Sequence, residues 1–268
     1  MADGALLDAF LDPSAALASQ DSVFNGLPSS ELEQQVGNYC FLLGMVPVGE
    51  SRKALTGLYD RLDAFQDVSG DDTLRVEMTR LLEKYLYDPN SPLRCEDAFQ
   101  AVAARLAEDP QLGGAERDRY AYIARISALN AVGSPAADFR FVDTKGREQT
   151  LYGIRAEHLL LVLGNPDCSA CEELVNALRA EASIAARIRS GALKVADIYI
   201  DGDIAAWKAR AEAYPPEWIN GCDPDGVIRS DRIYNVRAIP SLYLLDADKT
   251  VLMKDAPQER ILEYLANQ

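Results

Sequence analysis

Histidine, basic charge and long apolar runs are all scarce in this sequence of 268 residues. His158 is the only histidine, and no apolar run approaches the roughly 18 residues that a membrane-spanning helix needs. Lys and Arg total 27 against 42 Asp and Glu, which gives a net charge of −15. Phosphate binding needs clustered Lys and Arg, so nucleic acid and anionic lipid are not expected partners. The charge is best explained by solubility.

The sequence also lacks two marks of small secreted proteins. The cysteines are few and odd in number, which argues against a disulfide framework; they are Cys40, Cys95, Cys168, Cys171 and Cys222. The first residues, MADGALLDAF, contain no basic segment followed by an apolar one, so no signal peptide is visible. Two interpretations stay open: a cytoplasmic protein, or an exported protein whose signal lies outside this sequence.

Before residue 132, apolar residues recur at three- and four-residue spacing, which predicts helices and no strand. The five predicted helices cover residues 31–45, 51–65, 72–85, 95–107 and 115–131. The last of them is expected to bury Tyr122, Ile123, Ile126 and Leu129. We therefore predict an all-α helical domain over residues 1–132.

After residue 132, short apolar runs alternate with helical segments. A hairpin is predicted around TKGR, and Pro257 is expected to open a final helix. Strands are predicted at 159–164, 193–200, 241–246 and 250–254, and helices at about 169–189 and 204–213. Buried strands without clean alternation suit a central sheet covered by helices on both faces. The predicted fold of residues 133–268 is therefore an α/β domain.

Two cysteines in NPDCSACEEL lie where a buried strand passes into a helix. A helix N-terminus has unpaired N–H groups and a partial positive charge, so Cys168 is expected to have a lowered pKa. Cys171 lies one helical turn later, where it can attack a mixed disulfide formed at Cys168. The pattern predicts a redox dithiol with Cys168 as nucleophile and Cys171 as resolving thiol.

Three other interpretations of this pair are weaker. A zinc site usually has a second ligand pair, whereas the other cysteines are isolated and His158 stands alone, so no metal is expected. Two inert buried cysteines would not explain the strand-to-helix placement. A peroxidatic cysteine of the peroxiredoxin type would want Pro and Thr where Leu161 and Asn165 stand.

Downstream, RAIPSLYLLD places Pro240 immediately before a core strand. Together with NPDCSACEEL, this segment resembles the thioredoxin fold. The flanking SPAADFRFVDTKGREQTLYGI and YNVRAIPSLYLLDADKTVLMKDAP resemble TlpA-like thiol:disulfide oxidoreductases, some of which carry an extra N-terminal domain. The resemblance implies a cis peptide between Ile239 and Pro240 beside the dithiol, and a groove there that pairs with an extended protein substrate.

The resemblance also implies an activity and a location. The expected reaction is exchange with protein thiols or disulfides, supplied by an upstream redox donor or acceptor, without metal or organic cofactor. The expected location is the cell envelope or periplasm. In the alternative function, the helical domain recruits an envelope partner, and the thioredoxin-like domain is a scaffold whose cysteines seldom turn over.

Several residues depart from the family pattern. Thioredoxins bury an acid on the strand six residues before the first cysteine, where Val162 stands. Some TlpA-like proteins use a glutamate three residues after the second cysteine, where Leu174 stands. Glu173 is a candidate substitute, although a first-turn acid also favours the helix dipole. The charge of Asp167 is expected to oppose thiolate formation at Cys168.

Four smaller features receive structural interpretations. Cys222, in the turn-rich WINGCDPDG, is predicted to be a small loop residue rather than a third redox thiol. Trp207 and Trp218 are expected to anchor a helix and a loop. His158 is expected at the surface or at a strand edge. Asp203, in IDGDI, is predicted to cap a helix, because the loop lacks the alternating oxygen ligands of a calcium site.

Overall fold

The computed structural model describes residues 23–24, 27–165, 168–201, 203–211 and 214–267. The chain divides into two compact units between Arg125 and Ile126. The division falls slightly before the change of sequence pattern at residue 132. The reason is that the intervening segment is bonded to the second unit: the Asn130 side chain donates to the Ile233 carbonyl, and Lys254 donates to two carbonyls just after Ile126.

The first unit is helical. Its helices are α1 (Ser29–Met45), α2 (Val48–Ser69), α3 (Thr73–Leu82), α4 (Glu96–Ala107) and α5 (Gly114–Ser127), with a π-helical turn (Glu83–Tyr87) after α3. The prediction that this part has no strand is wrong, because β1 (Val23–Phe24) pairs with β2 (Leu27–Pro28). Two-residue strands are too short to leave an alternating pattern.

The fifth helix differs most from its predicted form. It ends at Ser127 rather than at residue 131, and Asn130 beyond it adopts a positive φ. Tyr122, predicted to face the core, is 39% exposed, whereas Tyr120 and Ile123 are buried. Ile123 and Ile126 are buried as predicted, so the difference is that Tyr120 rather than Tyr122 completes the buried stripe.

The second unit contains a seven-stranded sheet. Its strands are β3 (Arg140–Asp143), β4 (Glu148–Thr150), β5 (His158–Gly164), β6 (Leu193–Tyr199), β7 (Ile219–Cys222), β8 (Ser241–Leu245) and β9 (Val251–Lys254). The order across the sheet is β4-β3-β7-β6-β5-β8-β9, in which β5, β6 and β7 are parallel neighbours. All seven residues of β5 are buried, as the apolar run predicts. The predicted hairpin is formed by β3 and β4.

Helices pack on both faces of this sheet. They are α6 (Ser169–Ala180), α7 (Ala182–Ser190), α8 (Ile204–Arg210), α9 (Val227–Ser230) and α10 (Gln258–Ala266). One core contains Leu160 and Val162 with residues of α6, α7 and α10, and the other contains Leu161 and Leu163 with Ile228 of α9. The predicted architecture, a helical part followed by an α/β part, is confirmed.

The single helix predicted over residues 169–189 is wrong, because Glu181 adopts an extended conformation and separates α6 from α7. Leu178 and Ile184 lie six residues apart and would point to different sides of one continuous helix, at about 3.6 residues per turn. Both are buried in the same core. The break therefore allows both side chains to pack on the sheet.

The sequence analysis missed β7, which joins the β3–β4 hairpin to β6. Asn and Gly are poor strand formers, so INGC gives no strand signal. Gly221 is required by packing: a Cβ there would lie 2.5 Å from Phe141 Cδ2 and 2.9 Å from Ile198 Cδ1. Tertiary contacts, rather than local preference, place this strand.

Gly221→Ala is expected to destabilise the protein by about 1–3 kcal/mol, the usual cost of overpacking a core. The added methyl group would collide with Phe141. Gly57→Ala in α2 is the matched control, because a Cβ there meets nothing within 4 Å. It should stabilise the protein by about 0.5–1 kcal/mol. Denaturant unfolding measures both, and equal effects of the two changes would contradict the packing argument.

The structure also settles the four smaller features. Cys222 lies in β7 rather than in a loop, and is fully buried beside Trp207. His158 is buried at the start of β5 rather than at the surface, with its Nδ1 3.2 Å from Arg187 Nη2. Trp207 and Trp218 are buried, as expected of anchoring residues. Asp203 caps α8 by accepting from two backbone N–H groups, which confirms its predicted role.

Candidate active site

Cys168 lies just beyond the end of β5 and is the N-cap residue of α6. Its Sγ accepts a hydrogen bond from the Cys171 backbone N–H at 3.2 Å. The side chain is half-buried. A donor at a helix N-terminus favours negative charge on the atom it faces. This hydrogen bond places the Cys168 sulfur at the N-terminus of α6.

Cys171 lies one turn into α6 and faces the interior. It is only 3% exposed, and both cysteines are free thiols. Burial raises the pKa of Cys171 well above its ordinary value, and the hydrogen bond with Cys168 raises it further. A backbone hydrogen bond from Asn165 acts in the opposite direction. The two sulfurs thus differ sharply in access to solvent.

The segment that precedes β8 lies against the first sulfur. The Ile239–Pro240 peptide bond is cis in the structure. The Cys168 thiol donates to the Ile239 carbonyl at 3.6 Å, so this carbonyl already has a partner rather than being free for a substrate. On either side of the peptide, Arg237 and Ser241 donate to the buried Asp255 carboxylate at 2.9 and 3.1 Å. These bonds hold Pro240 beside the dithiol.

A buried acid that the sequence analysis did not consider lies behind the dithiol. Asp197 of β6 is 8% exposed, and burial raises its pKa to about 7. Its charge contributes to the raised pKa of Cys171. One signal could have found it, because Asp197 is the one charged residue within the apolar stretch VADIYI.

Comparison with known proteins assigns both parts of the chain to relatives. Residues 22–130 match a family described as "Domain of unknown function (DUF5106)". The crystal structure of a thioredoxin-like protein from Bacteroides caccae is similar over 89% of this chain and 84% of that chain, with 35% sequence identity and a TM-score of 0.78. The chain belongs to the thioredoxin-like family.

Two further structures are similar to about half of the chain. The C-terminal domain of an uncharacterized protein from Bacteroides fragilis is 41% identical over 52% of this chain and 99% of that one, with a TM-score of 0.51. The thioredoxin domain of a thiol-disulfide oxidoreductase from Bacteroides vulgatus is 20% identical over 51% of this chain and 96% of that one, with a TM-score of 0.45. A comparison with curated proteins found no match.

Asp167 and Glu173 are the two residues predicted to modulate the pKa of the dithiol. Asp167 lies outside the described residues. Glu173 is exposed on α6. Leu174, at the position where the family resemblance led us to look for a glutamate, is buried in the core. Val162, where thioredoxins place an acid, is paired with Asp197 on the neighbouring strand.

Two kinds of feature are absent from the described ranges of the chain. No three His, Cys, Asp or Glu side chains there are grouped as metal ligands. No helix in the same ranges has the length and apolar character needed to cross a bilayer.

In the reduced protein, we expect Cys168 to be alkylated well before Cys171. The reason is that Cys168 is half-buried at a helix N-terminus, whereas Cys171 is buried and its pKa is raised. A short iodoacetamide pulse near neutral pH, followed by peptide mass spectrometry, measures the order. Cys222 is the internal control, since full burial should leave it unlabelled. Faster labelling of Cys171 would reverse the assigned roles.

Proposed function

We propose that this thioredoxin-like protein catalyses thiol–disulfide exchange on protein substrates, with Cys168 as nucleophile and Cys171 as resolving thiol. The observation that carries the proposal is the arrangement of the two sulfurs. One is accessible, lies at a helix N-terminus and accepts an N–H from Cys171, and the other is buried one turn behind it. This asymmetry supports a division into attack and resolution.

In the reducing direction, the Cys168 thiolate attacks a substrate disulfide. A bond forms between Cys168 and one substrate sulfur, while the second substrate sulfur leaves with the electron pair. Cys171 then attacks Cys168, which forms the Cys168–Cys171 disulfide and releases the first substrate sulfur as a thiolate. The substrate has gained two electrons and the dithiol has lost them. The oxidising direction is the reverse sequence.

Ile239 and Pro240 are proposed to shape the substrate groove. Their support is position, because the Ile239 carbonyl contacts the Cys168 thiol directly. An extended substrate would bind along this segment and present its sulfur to Cys168. The proposed setting is the cell envelope, with an upstream redox protein restoring the dithiol or the disulfide; family resemblance alone supports this part.

The test is turnover of a disulfide-bonded model protein by the full chain, with a small dithiol as reductant, together with the reduction potential of the pair. Catalysed turnover is the expected result. A potential of about −270 mV would assign a reductase and about −120 mV an oxidant. No turnover in either direction, with both thiols intact, would overturn the proposal.

A second candidate is partner recruitment by the helical unit. Phe41, Leu42 and Met45 are exposed apolar side chains near the end of α1, with Phe41 55% and Met45 67% exposed. Residues three and four apart share one helix face, so these side chains form a patch. Such patches are typical of interaction sites. Absence of turnover in the preceding experiment would favour this candidate.

A further inference from the structure

The acid that thioredoxins place on the strand before the dithiol is missing from β5, but one stands directly beside that position. Val162 of β5 is paired with Asp197 of β6, which is paired in turn with Asn220 of β7. Residues paired across neighbouring strands point to the same face of a sheet. Val162 packs with Leu174 and other residues of the core beneath α6. Asp197 therefore lies on the dithiol side of the sheet.

Gly164, at the end of β5, shows how close the acid is to the second sulfur. A Cβ built on Gly164 would lie 3.1 Å from Cys171 Sγ and 4.0 Å from Asp197 Oδ1. The thiol and the carboxylate thus border one small space that the missing side chain leaves open.

A cavity lies beside Asn220, the residue paired with Asp197 on the neighbouring strand. This cavity of about 670 Å³ is lined by Asn220, Tyr214, Trp218 and Lys208, among others. Asn220 is 8% exposed; its Oδ1 accepts from Trp207 Nε1, and its Nδ2 has no hydrogen-bond partner within the described part of the chain. Asn220 thus lines this cavity and is also paired with Asp197 across neighbouring strands, so the cavity borders the residue next to the buried acid.

We propose that Asp197, from the strand next to the one that carries the dithiol, accepts the Cys171 thiol proton during resolution and exchanges it with solvent through the cavity at Asn220. The inference rests on the proposed exchange function. As the Cys171 Sγ–H bond breaks, the proton passes to the Asp197 carboxylate, and the sulfur electron pair forms the bond to Cys168. The bond from Cys168 to the substrate sulfur breaks, and that sulfur leaves as a thiolate.

The electrostatics of the site support this assignment. Burial raises the pKa of Asp197 to about 7, so near neutral pH the acid can both take and release a proton. Among the described residues, the titratable groups that interact with it are Cys171 of α6 and Tyr214, before β7. The neighbouring strands contribute Val162 and Asn220, which do not titrate.

The experiment follows release of thionitrobenzoate from a mixed disulfide formed at Cys168 of the full chain, across a range of pH. Asp197→Asn should slow release about 100-fold near neutral pH, a typical loss for a general base. The deficit should shrink at high pH, where solvent deprotonates Cys171. Equal rates and equal pH profiles in the variant and the wild type would overturn the proposal.

Two further variants separate a proton acceptor from a structural role. Asp248→Asn, at the exposed β8–β9 turn, makes the same charge change and should leave release unaltered. Gly164→Ala keeps the acid but fills the space between the two groups, and it should also slow release. Normal release in this variant would contradict the geometry.

A second readout does not depend on exchange. In a Cys168→Ala background, Asp197→Asn should lower the pKa of Cys171, measured by alkylation against pH, because a neighbouring negative charge is removed. The expected signature of Asp197→Asn is a Cys171 thiol with a lower pKa that nevertheless resolves the mixed disulfide more slowly. An unchanged Cys171 pKa would overturn the proposal, whereas lost turnover of protein disulfides with the signature intact would count against the proposed function only.

Discussion

Cys171→Ser is expected to leave the protein joined to its substrates through Cys168, because release needs the second sulfur. Cys168→Ser should form no such adducts, since the accessible nucleophile is gone. Turnover of a disulfide-bonded model protein should fall to the uncatalysed rate in both variants. Non-reducing electrophoresis after an acid quench separates the two outcomes, since adducts are expected with Cys171→Ser alone.

Cys95→Ser is the matched control for these two changes. Cys95 precedes α4 as its N-cap residue, a position where Ser is well tolerated. It should retain wild-type turnover and form no adducts. Adducts with Cys168→Ser would show that another cysteine is the nucleophile. If Cys171→Ser forms no adducts in the presence of excess disulfide substrate, the two-step mechanism is wrong.

Asp197→Asn is expected to change how the stability of the reduced protein depends on pH. The folded-state pKa of Asp197, about 7, lies above the unfolded value of about 3.9. Between these values the folded state holds a proton that the unfolded state has lost. Stability is therefore fully present below about pH 4 and is lost as the pH rises towards 7, by as much as about 4 kcal/mol in total.

Urea unfolding near pH 5 and near pH 8, with a reductant present, measures this effect. The wild type should lose about 3 kcal/mol more than Asp197→Asn between the two conditions, since only the wild type must ionise a buried carboxyl. The quantity compared is the change in the free energy of unfolding between the two pH values. The contributions of other titrating groups therefore cancel between the two proteins, and so does any fixed cost of burying the amide in the variant. Asp248→Asn should keep the wild-type slope. Parallel curves for Asp197→Asn and the wild type would show that Asp197 is not buried as a carboxyl with a raised pKa.

The candidate site shows where local sequence is informative. A buried strand, a Cys pair at the start of a helix and a proline before a later strand are all local patterns, and each was visible in the sequence. The contact between Cys168 and the Ile239 carbonyl joins residues 71 positions apart, and the expectation of it came from family resemblance rather than from spacing. Asp197 was overlooked because its importance depends on which strand becomes the neighbour of β5.

By itself, the sequence determined the order of the two units, the central buried strand and the placement of the dithiol. Hydrophobic periodicity and helix-terminus chemistry act over a few residues, so a single chain segment contains them. Only the tertiary structure decided that INGC forms a strand, that the helix after the dithiol breaks at Glu181, and that Cys222 and His158 are buried. Each depends on partners distant in the chain, such as Phe141 against Gly221. For the same reason, the acid beside Cys171 became visible only once β6 was placed next to β5.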